Sequence, residues 1–250
     1  MSTKVRITLL ALALALYAPA LLADRPEWPM PRVRAALPGS GNPLYKEAFI
    51  NPASDGTMSH VASLAPLERG GMAAAWYSGS REGARDVSIY LSWLNPDTGL
   101  WSKPRKVMDR AKASRDLGRY VKKVGNAMLH SEPNGKLWMF YSTMAVGGWS
   151  MSRVSYTSSL DGGLTWERSK PLHLGPALNL TNNVKNRPVT LDDGSFLIPA
   201  YHELARKFSV AVRFDPDTER YEKRRMSQSG RNIQPAIVEG PGGTLTALFR

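Results

Sequence analysis

The feature that most constrains this chain is a strand-turn-strand unit that recurs four times. HVASLAPLERGGMAAAWYSG (residues 60–79) is an apolar stretch, a glycine turn and a second apolar stretch. NAMLHSEPNGKLWMFYST (126–143) repeats this about Asn134-Gly135, RPVTLDDGSFLIPAYHE (187–203) about Asp193-Gly194, and QPAIVEGPGGTLTALFR (234–250) about Gly242-Gly243. Asn-Gly and Asp-Gly between short apolar runs are strong hairpin signals, because these residues tolerate positive φ. Each of the first three hairpins is followed by a third strand and a shared ending: DVSIYLSWLNPDTGLWSKP, SRVSYTSSLDGGLTWERSKP and FSVAVRFDPDTERYEK. Asp97, Asp161 and Asp217 align there, as do Trp101, Trp166 and Tyr221. The period is about 50 to 65 residues, with three or four short strands per unit. Radially arranged four-stranded sheets satisfy that pattern and leave only short edges exposed. No stretch holds a period of 3.6 with caps. The pattern predicts an all-β propeller rather than a sandwich.

The ends of the chain are read separately. Lys4 and Arg6, the apolar run Ile7 to Tyr17 and the small residues Ala18 to Ala23 form a secretory signal pattern, cut after Ala20 or Ala23. The alternative is an uncleaved anchor, although the 17 residues from Ile7 to Ala23 lie at the lower limit for spanning a bilayer and include Pro19. Residues 24–41 read as a linker and 42–250 as the propeller domain. No later segment is long and apolar enough to span, so the expected location is periplasmic or secreted. The chain has no cysteine, which excludes thiol nucleophiles, thiolate metal sites and thiol redox chemistry. Its net charge of +12 falls to +10 without Lys4 and Arg6. A basic exported surface points to a glycan or acidic polysaccharide as partner rather than nucleic acid, for which no motif is present. Oligomeric state is not readable.

SLDGGLTW (Ser159, Asp161, Gly163, Thr165, Trp166) suits a tight hairpin between outer strands. Asp161 bonds backbone amides across the turn, Gly163 takes positive φ and Trp166 packs into the blade. This is a structural staple and carries no chemistry.

That motif, with its two decayed copies, resembles the Asp-box of the sialidase (neuraminidase) superfamily, and in particular its bacterial BNR-repeat branch, over residues 42–250. The resemblance implies a six-bladed β-propeller, of which about three and a half blades are present. The apolar strand TLTALFR then predicts that more chain follows Arg250; a closed four-blade form using Tyr45 to Ile50 as closing strand is the alternative. The family holds a substrate carboxylate with three arginines, since guanidinium groups match carboxylate geometry. The second resembles Arg250; the first is replaced, its place reading Ser59-His60-Val61; the third would lie past the chain. The acid/base carboxylate of the family falls in the loop SGSREGARD, which offers Glu82 and Asp86 beside Arg81. Gln234 stands where the family has the glutamate that activates its tyrosine nucleophile, and that tyrosine would lie past Arg250.

Polar residues at the starts of the inner strands predict a funnel able to hold a sugar: His60, Asn126, Asn186 with Arg187, and Asn232 with Gln234. Trp149, after Gly147-Gly148, is placed either to stack on a sugar or to cover the blade edge. Tyr201 and His202 end the third hairpin on the same side, and His202 is a candidate for proton transfer. No cofactor and no obligatory metal are expected. The leading reading is an exported glycosidase acting on a terminal acidic sugar. Its alternatives are a non-catalytic carbohydrate-binding propeller and a uronate lyase using His60 or His202 with Tyr201.

Overall fold

A computed structural model describes residues 47–50, 58–68, 70–175, 179–204, 207–226 and 230–250, together with Val5, Ile7 and Thr8. The signal and linker readings over 1–23 and 24–41 lie outside the described residues, apart from those three. The chain divides into two units, Met1–Pro31 and Arg32–Arg250. All strands among the described residues belong to the second.

Strands β1 (Met58–Pro66), β2 (Met72–Gly79), β3 (Ser88–Leu94) and β4 (Arg105–Met108) form one antiparallel sheet in chain order. A second consists of β5 (Lys123–Ser131), β6 (Leu137–Met144), β7 (Arg153–Ser159) and β8 (Lys170–Pro171). In the third the first strand is broken: β9 (Asn182–Val184) and β10 (Val189–Thr190) both pair with β11 (Phe196–His202), followed by β12 (Phe208–Phe214) and β13 (Tyr221–Arg225). β14 (Ala236–Glu239) and β15 (Leu245–Leu248) complete the order as a hairpin. The blades of the sequence analysis are therefore present as three four-stranded units and the opening hairpin of a fourth. Residues 47–50 form no strand, so the alternative closing strand has no support there.

One helix corrects the all-strand reading. α1 (Arg110–Leu117) links the first two blades. The Asp109 side chain accepts from the Lys112 amide at 2.8 Å, and Gly118 at φ 61 ends the helix. Both caps are written in DRAKASRDLG, but eight residues are too few for a helical period to stand out.

Packing between blades explains the apolar strands. Leu137, Met139 and Tyr141 of β6 enter a core shared with the first blade, through Ala73, Ala75, Ile89 and Leu91. The alternate residues Trp138 and Phe140 enter a second core shared with the third blade, through Phe196, Val212 and Phe214. With a period of two and both faces buried, the strand reads as continuously apolar. Trp138 is fully buried, with Phe214 T-shaped at 5.2 Å and Tyr156 at 6.0 Å.

The staple forms as expected. Ser159 Oγ donates to Asp161 Oδ1 (2.7 Å) and accepts from the Gly163 amide (2.8 Å), while Thr165 donates through N and Oγ1 to the same carboxylate. Trp93 of the first blade donates its indole N–H to Gly162 O at 2.7 Å, so the motif also ties blade to blade. Gly163 sits at φ +94, and a Cβ there would meet Leu91 Cδ2 at 2.8 Å. In the decayed copies the acceptor is two residues earlier than the aligned aspartates. Asn95 caps the amides of Asp97 and Thr98, and Asp215 those of Asp217 and Thr218.

Two outcomes follow. Trp138→Ala should lower unfolding free energy by about 3–5 kcal/mol in urea titration; a loss under about 1 kcal/mol would mean that the second core is not continuous. Burial opposes ionisation of Asp161, but bonds from Thr165 and Ser159 outweigh it and bring the carboxyl down to about 2. A lowered pKa adds stability that is present above the unfolded value of ~4 and is lost as pH falls towards about 2. The melting temperature should therefore fall more between about pH 5 and pH 2 in the parent than in Asp161→Asn. Equal falls, followed by circular dichroism, would remove Asp161 from this role.

Candidate functional site

The inner strands β1, β5 and β9–β10 each depart from regular pairing, and Gln234 lies just ahead of β14. On β1, His60 pairs with Tyr77 and Ser63 with Ala75, so three steps answer two. β5 does the same between Gly125 and Met128. The break between β9 and β10 sets five steps, Val184 to Val189, against three on β11. Val61 (φ 52), Asn126 (φ 47) and Gln234 (φ 55) adopt left-handed backbone there. Such conformations are uncommon for non-glycine residues, and bulges re-aim side chains at the rims of sheets. The bulges gather polar groups at one end of the inner strands.

From the first blade come His60, Tyr77 and Glu82. His60 Nδ1 lies 2.8 Å from the Tyr77 hydroxyl and 4.0 Å from Glu82 Oε1. Tyr77 is buried, while about half of the His60 and Glu82 side chains is exposed (51% and 53%). Burial first, and then the Glu82 charge, raise the Tyr77 phenol well above its ordinary pKa, so its proton is held. Asp86, the other expected carboxylate, is engaged by its own loop: it accepts from Ser80 N at 2.9 Å and Ser80 Oγ at 3.0 Å. The Ser80 amide bond is the chief reason that its pKa is lowered. Of the two carboxylates, Glu82 reaches the His–Tyr pair and Asp86 fixes the loop.

The second blade supplies Lys123, Asn126 and Trp149. Lys123 is buried (9% exposed), with Nζ donating to Gly83 O at 3.3 Å and lying 5.9 Å from the Trp149 ring centroid. Burial lowers its pKa, helped by Lys122 and Arg81 and opposed by Glu82. Trp149 packs across Gly125, where a Cβ would meet the indole at 2.6 Å, and lies 5.9 Å from the Tyr77 ring. Asn126 donates to Asn183 Oδ1 at 3.3 Å, and the Ser142 hydroxyl donates to the same oxygen. Asn183 is fully buried and carries the link from the second blade to the third.

Tyr201 is buried; burial and then Glu203 raise its phenol, while Gln234 and Arg250 act the other way. Gln234 Oε1 accepts from Lys185 Nζ at 3.1 Å and from Arg250 Nη1 at 3.5 Å. Asn186 donates to the carbonyls of Gln234 and Pro235 at 3.2 and 2.8 Å, joining the third blade to the fourth hairpin. Two cations thus converge on a neutral amide.

Other expected residues lie away from this cluster or make other contacts. Arg187 lines a cavity of about 700 Å³ at the other end of the inner strands, beside His130. Burial, and then Arg187, depress the His130 pKa to about 4. His202 stacks on its cross-strand partner Phe208 at 4.8 Å. The Asn232 carbonyl accepts from Ser209 Oγ. Arg81 is exposed on the loop of Glu82. Sequence reasoning missed Tyr77, Lys123, Asn183 and Lys185. Tyr77 was legible as the last aromatic before the SGSREGARD loop, and Lys123 was hidden in a basic pair that reads as solvated surface.

Antiparallel blades with Asp-box staples, opening onto a polar mouth, define a sialidase-like β-propeller. Residues 70–250 match the BNR repeat-like domain, and the chain belongs to that family. It is similar in fold to the Hadza microbial sialidase Hz136, with a TM-score of 0.65 at 15% identity over 77% of this chain and 42% of that one. A Trypanosoma rangeli sialidase in complex with sialic acid gives 0.60 at 15% identity over 77% and 34%. The NanB sialidase from Streptococcus pneumoniae gives 0.59 at 12% over 77% and 48%. The chain thus spans less than half the length of each of these three. No curated protein sequence matches it.

Replacing Asn183 by Ala should strip Asn126 and Ser142 of a shared buried acceptor and cost about 2–3 kcal/mol by urea titration. A cost below about 0.5 kcal/mol would show that Asn183 does not organise the mouth.

Proposed function

We propose that this chain is the glycan-handling part of an exported, sialidase-like glycoside hydrolase that takes a terminal, carboxylated sugar, with Glu82 as acid/base. The observation that carries this reading is the His60–Tyr77–Glu82 constellation. It is the carboxylate set beside two further proton-bearing groups at the convergence of the inner strands. A half-exposed carboxylate can reach a glycosidic oxygen, and its histidine neighbour can share or return the proton. Recognition of the sugar carboxylate falls to Lys185 and Arg250, which meet at Gln234, and to Lys123 near the position where the family's first arginine is replaced. Trp149 offers an aromatic face beside them. Gln234 cannot accept a tyrosine proton, so the reading takes water rather than the family's glutamate-activated tyrosine as the group that attacks the anomeric carbon, while the leaving oxygen departs with the proton from Glu82.

The His60–Tyr77 hydrogen bond favours one second reading, β-elimination on a uronate polymer. There one of the pair removes the C5 proton and the other protonates the leaving oxygen, while lysine or arginine neutralises the carboxylate.

Incubation of the full chain with fluorogenic sialosides and a panel of uronate polymers separates the two. Hydrolysis should release fluorophore, and Glu82→Gln should reduce kcat/KM by about 10²–10⁴-fold. Unsaturated-uronate absorbance, lost in Tyr77→Phe, would establish the lyase instead. Glycan binding with neither product would make this a binding propeller. Full hydrolytic activity in Glu82→Gln would overturn the assignment of the acid/base.

A further inference from the structure

We propose that Arg119 and Arg153 form a second anion site, at the root of the loop that carries Trp149, for a compact oxyanion such as a sulfate or carboxylate group. Thr143 and Arg153 face each other across β6 and β7, so their side chains leave the same face of the sheet. Arg119, which follows the end of α1, reaches back onto that face and donates from Nη2 to Thr143 Oγ1 at 3.3 Å. Thr143 in turn donates to the Arg153 carbonyl at 3.3 Å, and the Arg153 charge lies close enough to be felt at Arg119. Among the described residues neither arginine has a carboxylate within 4.0 Å. Arg153 Nε is buried and has no hydrogen-bond partner, which leaves a strong donor unused away from water.

Electrostatics agree with the geometry. Burial disfavours the Arg119 cation, and the nearby Arg153 charge disfavours it further. A like-charged, partly buried pair without a counter-ion is costly in isolation, and a bound oxyanion would satisfy both charges and the free Nε–H. The loop between β6 and β7 leaves next to Thr143, returns at Arg153 and holds Trp149 over Gly125. An anion here would brace that loop. The site shares no residue with the His60–Tyr77–Glu82 group, so it stands or falls independently of the hydrolase reading.

The test is thermal unfolding of the full chain with millimolar sulfate exchanged for chloride at constant ionic strength. Site binding saturates, whereas general salting effects of sulfate rise without saturation. A saturating rise of about 2 °C or more is expected. It should vanish in Arg119→Met and in Arg153→Met, each of which keeps the alkyl stem. Arg119→Met keeps the test decisive if the strand variant does not fold. A sulfated oligosaccharide that protects at lower concentration than inorganic sulfate, and loses that advantage in Arg119→Met, identifies the anion as glycan-borne. Equal potency per sulfate identifies a free ion. A parent response that is identical in sulfate and chloride, or a saturating response that survives both substitutions, overturns the site.

Discussion

Burial of the middle blade on both faces is the constraint on which the rest of the architecture depends. Odd and even residues of β6 enter different cores, so Trp138 and Phe140 join the third blade while Met139 and Tyr141 join the first. A one-residue slip would exchange these sets and place Trp138 among the alanines of β2. Register is therefore fixed by shape as well as by hydrogen bonds. The polar ties that cross between blades, such as Trp93 to Gly162 and Tyr156 to Glu219, fasten an arrangement that apolar packing has already chosen.

With register fixed in the body of each blade, irregularity is confined to the inner strands near their starts. The bulges at Val61 and Asn126 and the break between β9 and β10 each add residues to the axial strand without disturbing the strand behind it. An extra residue turns polar side chains toward the axis while alternation resumes at Ser63 and Met128. Left-handed backbone at Val61, a β-branched residue, persists because the cores on either side hold it. The mouth is thus strained backbone supported by conventional packing.

The hairpin turns and the SLDGGLTW staple were legible because turn chemistry is local: a few residues determine φ and the acceptors together. The capped helix Arg110–Leu117 escaped because a period needs more turns than it has. In the decayed boxes, alignment on the aspartates selected Asp97 and Asp217, whereas an Asx turn takes its acceptor at the first position, Asn95 or Asp215. At the mouth, the sequence distinguished the loop of Glu82 and Asp86 but could not separate their roles. That separation depends on Ser80, six residues from Asp86, and on His60, brought alongside from another strand. Arg187 was misplaced by the same limitation. The two-residue surplus in the broken strand carries it toward the opposite end of the axis, which composition cannot reveal.

Charge at the mouth bears most directly on chemistry. A glutamate at position 234 would offset one of the two positive charges of Lys185 and Arg250 and compete with any anionic ligand. Glutamine keeps both cations oriented through Oε1 while leaving their charge unspent. On the other side, His60 hydrogen-bonds the Tyr77 hydroxyl beside Glu82. Under the proposed function, carboxylate recognition would fall to the third and fourth blades and proton transfer to the first. A substrate bridging them would have its carboxylate at Lys185 and Arg250 and its reacting bond near Glu82. That division gives the proposed hydrolysis and the proposed elimination the same binding pose, and leaves the choice between them to whether Glu82 protonates the glycosidic oxygen or the His60–Tyr77 pair takes the C5 proton.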